Sequence, residues 1–187
     1  MISVITWVRV NDGLTIDVDS GYYVIEFNCN GRVFMKTLLV VIHSPSPNTA
    51  RLRDAVLEGT RDPNVTEVTV NAIAPLHATA EDVLECDAII LGTTENLGYM
   101  SGALKDFFDR IYYPCLEKKQ GLPFALFVRA GHDGTGTCRA VETITTGLRW
   151  KMVQPPLVCR GEWNEEFIDQ VTALGTTIAM SLDAGII

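Results

Sequence analysis

From Lys36 onward the chain repeats one rhythm, a strand-like segment followed by a stretch with helical periodicity. Thr37 to Ile42 is an uninterrupted apolar run, and Glu67 to Ile73, Asp87 to Leu91, Phe124 to Arg129 and Pro156 to Cys159 are the further strand candidates. Each has the length of a strand, and an unbroken apolar run requires cover on both faces of a sheet. The helical patterns between and after them are Ala50 to Glu58, Ala80 to Leu84, Gly102 to Tyr113, Arg139 to Leu148 and Glu165 to Leu182. Five strands alternating with five helices in a single-domain length predict an α/β fold with a doubly wound parallel sheet and helices on both faces. Crossovers in such folds are right-handed, and ligands sit at the carboxyl ends of the strands where strand order reverses. Function is therefore expected in the loops after the first, third and fourth strands.

Two helices are well specified. Ala103, Leu104, Phe107, Phe108 and Ile111 recur at i, i+3, i+4 and i+7, with Lys105–Asp109 and Asp106–Arg110 as charge pairs on the outer face. Ser101 suits the N-cap of that helix. In the last helix Asn164 is the expected N-cap, Trp163 a staple against Ile168, and Phe167, Ile168, Val171, Leu174 and Ile178 the buried stripe.

The loop after the first strand is Ser44-Pro45-Ser46-Pro47-Asn48-Thr49. A helix N-terminus offers unpaired backbone N–H groups and partial positive charge, which suits a phosphate. Ser44, Ser46, Asn48 and Thr49 can complete that seat, while the prolines stiffen it. The triphosphate motif G-x-x-x-x-G-K-[ST] is absent, so a monophosphate fits better. A Ser-Pro turn with an ordinary Thr N-cap reads the same way on its own.

The loop after the third strand runs from Gly92 to Ser101 and includes Thr93, Thr94, Glu95, Asn96, Leu97, Gly98 and Tyr99. A loop of this length can lay backbone groups along the edge of a flat heterocycle, with Leu97, Tyr99 or Met100 against its face; a solvated surface turn is the alternative. After the fourth strand comes Ala130-Gly131-His132-Asp133-Gly134-Thr135-Gly136-Thr137. Its glycines follow G-x-x-G-x-G, the reverse of the dinucleotide fingerprint and late in the chain, so a Rossmann phosphate site is rejected. Glycines there allow close backbone approach to a ligand. His132 can contact a ring carbonyl or a ribityl hydroxyl, or stand as an idle surface histidine. Jointly the three loops fit a flat heteroaromatic monophosphate, provided that the first is open and lies beside the other two.

Bulk properties exclude several classes. Net charge is -8 with Lys and Arg scattered, which lacks the footprint of a nucleic-acid binder. No apolar run approaches a membrane span and the first residues do not read as a signal peptide, so no membrane partner and a cytoplasmic location are expected. Cys29, Cys86, Cys115, Cys138 and Cys159 are odd in number and widely spaced, which suggests reduced and mostly buried thiols, with neither a disulfide framework nor a metal site.

Residues 1 to 34 read differently. Alternating segments at Val4 to Val10, Leu14 to Asp19 and Tyr22 to Cys29 are punctuated by Asn11-Asp12-Gly13, Ser20-Gly21 and Asn30-Gly31, all hairpin signals. They form either a small antiparallel meander or an upstream extension outside the functional domain, which then occupies residues 35–187.

The order of an apolar strand, S-x-S-x-N-T, a later strand ending in Gly92-Thr93, and Met100-Ser101-Gly102-Ala103-Leu104-Lys105-Asp106-Phe107-Phe108-Asp109-Arg110 resembles the flavodoxin-like superfamily. Within it the chain is most similar to NADPH-dependent FMN reductases and NAD(P)H:quinone oxidoreductases, over residues 36 to 187. The resemblance implies a five-stranded sheet of order 2-1-3-4-5, FMN as cofactor, NADPH or NADH as reductant, a small-molecule electron acceptor, and a homodimer or homotetramer. It implies that Ser44, Ser46, Asn48 and Thr49 hold the FMN phosphate. Thr93 to Tyr99 would border the isoalloxazine ring, and Ala130 to Gly136, including Gly131, His132 and Gly134, would line its pyrimidine side. The family has Pro and an aromatic residue where this chain has Thr94, Glu95 and Asn96. That change removes a ring stack, for which Tyr99 is the candidate substitute, and sets Glu95 near a flavin whose reduced form is anionic. The chemistry belongs to the cofactor, so no catalytic acid, base or nucleophile is expected. An FMN-dependent NAD(P)H oxidoreductase leads; a flavodoxin-type electron carrier and a flavin-free relative are the alternatives.

Overall fold

Alternation inside the apolar runs divides the core between two faces of one sheet. The computed structural model describes residues 35–187 and, as backbone, two strands before them, Thr6–Val10 (β1) and Gly13–Asp17 (β2). These two pair antiparallel with Val10 opposite Gly13, as the Asn11-Asp12-Gly13 signal predicts. The segment Tyr22 to Cys29 and the turns Ser20-Gly21 and Asn30-Gly31 lie outside the described residues. The chain divides into two compact units, Met1–Val33 and Phe34–Ile187.

In the second unit the order is β3 (Lys36–Ile42), α1 (Pro47–Gly59), β4 (Val68–Ile73), α2 (Ala80–Glu85), β5 (Ala88–Asn96), β6 (Tyr99–Met100), α3 (Gly102–Cys115), β7 (Pro123–Ala130), α4 (Thr135–Gly147), β8 (Lys151–Met152), β9 (Leu157–Arg160) and α5 (Glu166–Asp183). The parallel strands lie in the order β4-β3-β5-β7, with β8 and β9 both on the far edge of β7. Counted from β3 this is the expected 2-1-3-4-5, with strand order reversing between β3 and β5.

Leu38, Val40, Ile42, Ile90 and Phe127 face α1 and α5, where they meet Leu52, Val56, Val171, Leu174 and Ile178. Leu39, Val41, Ile89, Leu91, Leu126 and Val128 face the other layer and pack on Val83, Leu104, Phe107, Phe108, Ile111 and Val141. At roughly 2 kcal/mol for each fully buried large apolar side chain, these two layers are the main source of stability. Two glycines let α1 and α5 approach closely: a Cβ on Gly59 would stand 2.1 Å from the Thr172 carbonyl oxygen, and one on Gly175 2.3 Å from that of Val56.

The sequence expectations need correction at element ends. Helix α1 begins at Pro47 rather than Ala50, because proline presets the first helical turn. Helix α4 begins at Thr135 rather than Arg139, started by Gly134 in the left-handed region at φ 72°. The fifth strand stands at Leu157–Arg160 as β9, starting one residue later than expected because Pro156 has no N–H for a ladder, and the two-residue β8 precedes it on the same edge of β7. At α5 the N-cap position is Glu165, while Asn164 Oδ1 accepts from the Glu166 N–H at 3.0 Å; Trp163 packs edge-on against Phe167 at 5.9 Å between centroids, and both Trp163 and Ile168 lie against the same core layer.

Candidate functional site

Parallel pairing brings the three loops to one end of the sheet. Ile42 is opposite Gly92, and the His43 N–H donates to the Gly92 carbonyl at 2.9 Å, so the collar leaves β3 directly beside the exit from β5. On the other side Thr93 and Thr94 pair with Val128 and Arg129, one residue before the loop that begins at Ala130. Gly92 packs tightly between neighbours, since a Cβ there would stand 2.5 Å from the Phe127 ring and 2.9 Å from Ile42.

The collar is partly closed on itself. Ser46 is the N-cap of α1: its Oγ accepts from the Thr49 N–H at 3.3 Å, and Thr49 Oγ1 accepts from the Ser46 N–H at 2.9 Å. This reciprocal capping box satisfies two donors that an open seat would have offered, and Thr49 is buried within it. The expectation of a fully open collar is corrected to this extent. Among the described residues the side chains of Ser44 and Asn48 make no hydrogen bond, and Asn48 is exposed. No acidic residue stands in the first turn of α1 to oppose an anion. Burial lowers the pKa of the neighbouring His43 from the ordinary histidine value. A cleft of about 210 Å³ opens on the β4 side of the collar, lined by Ser44, Arg53 and Ala72 to Ala74.

The second stretch is a hairpin rather than a loop. β5 continues to Asn96, turns through Leu97 and Gly98, and returns as β6 with Glu95 opposite Met100 and Asn96 opposite Tyr99. Both turn residues have positive φ, 54° at Leu97 and 76° at Gly98, the pair of left-handed conformations that a two-residue hairpin turn demands. Leucine rarely adopts that conformation, and its side chain is fully exposed at the tip, with Tyr99 also exposed. At the base, Thr93 Oγ1 accepts from the Ser101 N–H at 3.1 Å and Ser101 Oγ accepts from the Leu104 N–H at 3.2 Å, which caps α3 as expected. Thr93 and Thr94 are therefore buried supports of the hairpin, and Thr94 Oγ1 donates to Asn96 Oδ1 at 2.9 Å.

Glu95 joins this hairpin to the third loop. Its carboxylate accepts from the His132 N–H at 2.8 Å and from the Gly134 N–H at 3.1 Å. Farther along, a Cβ on Gly136 would stand 2.1 Å from the Gly98 carbonyl oxygen, so the hairpin tip lies against the start of α4. Ala130 and Gly134 are buried, whereas Gly131 and His132 are exposed. Asp133 accepts from the Thr135 N–H at 2.9 Å, and that bond holds its carboxyl below the ordinary range.

Sequence reasoning missed a fourth contributor, the turn after β9. Arg51 of α1 lies over the Trp163 ring at 5.1 Å, Trp163 meets Phe167 edge-on, and Arg129 lies over Phe167 at 5.6 Å. Glu165 closes the stack by accepting from Arg51 and from Trp163 Nε1, the latter at 2.8 Å. Arg129 also donates to the carbonyls of Ala130, Cys159 and Gly161, which ties the third wall to β9. The available signal was an aromatic residue in the loop after the fifth strand. Of the cysteines, Cys86, Cys115 and Cys159 are buried and Cys138 is half-buried; Cys29 lies outside the described residues. Among the described residues no helix is long and apolar enough to cross a membrane.

Comparison with known proteins places this arrangement. The model of the family described as "NADPH-dependent FMN reductase" matches residues 47–165. A protein named "Flavodoxin" from Aquifex aeolicus is 32% identical over 114 residues, 61% of this chain and 60% of that protein. The chain thus spans about 60% of the length of the curated relative that it matches. Among solved structures, a flavodoxin from the domain Archaea superposes with a TM-score of 0.66 at 21% identity, covering 78% of this chain and 98% of the other. A flavodoxin, WrbA-like protein from Agrobacterium tumefaciens gives 0.60 at 18% identity, covering 81% and 98%. Rubredoxin oxygen:oxidoreductase from Desulfovibrio gigas gives 0.66 at 16%, over 81% of this chain and 38% of that one. The structural likenesses establish a flavodoxin-like fold, and the match over more than half of its residues makes the chain a member of the NADPH-dependent FMN reductase family.

Proposed function

We propose that residues 35–187 bind FMN at the carboxyl end of the sheet and act as an NAD(P)H-dependent oxidoreductase that passes reducing equivalents to a quinone, a free flavin or a similar small acceptor. The observation that supports this most directly is the juxtaposition of the α1 N-terminus with the β5 hairpin across the His43–Gly92 hydrogen bond, at the point where strand order reverses. The donor chemistry fits the group. Ser44 and Asn48 offer uncommitted polar side chains beside a helix N-terminus without first-turn acids, which suits a phosphate dianion. Ser46 and Thr49 hold that first turn in shape by capping each other.

Bound FMN would supply two-electron redox chemistry, taking reducing equivalents from a nicotinamide and giving them to the acceptor. The chain's own part is to seat and orient. In this reading Thr93 to Tyr99 border the ring, with the exposed Leu97 and Tyr99 side chains as its apolar cover. Ala130 to Gly136 line its pyrimidine side, and the clefts beside Tyr99 and Arg139 leave room for a second, planar substrate. A flavodoxin-type carrier is the second reading, favoured by the 32% identity to a protein named flavodoxin.

Purified protein mixed with FMN and desalted is expected to keep flavin absorbance near one equivalent. A colourless product at micromolar concentrations overturns both readings and leaves a flavin-free relative. With flavin retained, oxidation of NADH or NADPH in the presence of a quinone identifies the enzyme; no turnover identifies the carrier. Asn48→Ala is expected to weaken FMN about tenfold while leaving riboflavin nearly unchanged, as loss of one charge-assisted hydrogen bond predicts. Equal weakening of both ligands contradicts the phosphate role.

A further inference from the structure

Glu95 stands one residue beyond Thr94, the last position of β5 paired with β7. There the third wall has turned off the sheet, and the carboxylate reaches across to it with both oxygens, Oε2 to the His132 N–H and Oε1 to the Gly134 N–H. Two charge-assisted bonds into one three-residue stretch make this side chain a clasp, unlike a free surface acid that one rotamer change would swing away. The same two walls meet again where the Gly98 carbonyl lies against Gly136. Asp133 sits between the two clasped amides, and among the described residues neither Glu95 nor Asp133 forms an ion pair with a Lys or Arg. The walls of the slot are thus held together by a carboxylate that forms no ion pair with a Lys or Arg among the described residues.

We propose that Glu95 is a positioning residue for the flavin slot: it fixes the hairpin to the Ala130–Gly136 wall and keeps an unpaired negative charge beside the ring, so that the chain binds two-electron-reduced, anionic FMN more weakly than oxidised FMN. This rests on the FMN reading above. Reduction adds two electrons and one proton to the ring and leaves it one negative charge; a like charge nearby disfavours that state, and in a half-buried site it is only partly screened. By linkage, the ratio of the two affinities equals the displacement of the bound couple from that of free FMN.

The test compares the full chain loaded with FMN against Glu95→Gln, which keeps the size and one acceptor but removes the charge. Reductive titration of each with dithionite, against free FMN, is expected to show the reduced-to-oxidised ratio rising about tenfold in Glu95→Gln, some 30 mV for a two-electron couple. A change of less than twofold, with FMN still bound to both, overturns the proposal and leaves the FMN reading intact. Amide hydrogen exchange on the flavin-free chain reads the clasp alone. The His132 and Gly134 amides are expected to be protected and to lose about tenfold protection in Glu95→Ala; equal exchange in both proteins overturns the clasp. A wild-type chain that protects these amides yet retains no flavin overturns the FMN reading, and with it the charge effect.

Discussion

Two helices start at the same end of this sheet, and they solve the same problem in opposite ways. Each must satisfy backbone N–H groups that have no partner inside the helix. Helix α1 does so locally, through a capping box between Ser46 and Thr49, three residues apart. Helix α4 has a glycine at its N-cap and so no side-chain cap from that residue; Asp133 accepts from the Thr135 N–H, and the N–H of Gly134 itself is taken by Glu95, thirty-nine positions earlier. A local cap forms with the helix and says nothing about its neighbours. A cap from another strand exists only when β5 and β7 are in register, so it reports, and helps to fix, the spacing of the walls on either side of the slot.

That contrast breaks most severely at Gly136. A side chain there would drive α4 off the hairpin, because its Cβ would lie 2.1 Å from the Gly98 carbonyl. Gly136→Ala is expected to cost about 3 kcal/mol, a fall of roughly 9 °C in melting temperature for a chain of this size. Gly102, at the start of α3, faces open space, and Gly102→Ala is expected to leave stability within about 0.5 kcal/mol. Thermal melts of the two variants side by side separate close packing from any general intolerance of change in glycine. Equal effects would mean that the hairpin does not rest on α4.

Removing the caps themselves is the next largest effect. Glu95→Ala strands two amides; water can replace the acceptor at exposed His132, but Gly134 is buried, so about 2 kcal/mol is expected. Ser46→Ala loses an N-cap at the surface and should cost about 1 kcal/mol. Denaturant melts give the order of the two. If Ser46→Ala proves the more costly, the cross-strand cap contributes less than the local one and the comparison reverses.

The same distinction explains what the sequence could reveal. The strand Thr37 to Ile42 was readable because burial on both faces leaves a continuous apolar run, a property of the segment alone; Glu67 to Ile73, on the sheet edge, is interrupted by polar residues and has no fully buried position. The α3 stripe and its Ser101 cap were readable for the same reason. The hairpin was not, since its central pair is Leu97-Gly98 rather than Asn-Gly, and tertiary contact with α4 holds a leucine at φ 54° that its own preference would refuse. The first turn of α4 looked like a loop because glycine and threonine are weak helix formers; Glu95 and the sheet below override that weakness. Glu95 drew notice as a charge near a ring, but its bonds to His132 and Gly134 depend on register between strands and have no local signature. The Ser46–Thr49 box was the reverse case, visible as S-x-x-T yet read as an open seat, because a pattern does not tell whether a cap serves its own helix or a ligand.

Even the locally capped helix has long-range ties to α5, and pH exposes one of them. Arg51, in the second turn of α1, pairs with Glu165 at the start of α5, and Trp163 Nε1 donates to the same carboxylate. The Arg51 hydrogen bond, followed by that of Trp163, draws the Glu165 carboxyl down to about 2 from an ordinary value of 4.5. The folded state therefore holds this proton less tightly than the unfolded chain, so the contribution to stability is complete above about pH 5 and is lost as pH falls from 4.5 toward 2. Both partners are largely exposed, which keeps the effect small. Glu165→Gln is expected to lower the melting temperature by no more than about 2 °C at pH 7, with the two proteins converging as pH approaches 2. Parallel melting curves from pH 7 to pH 2.5 would show that the pair does not hold α1 to α5, and the contrast between a locally capped α1 and a register-dependent α4 would then widen.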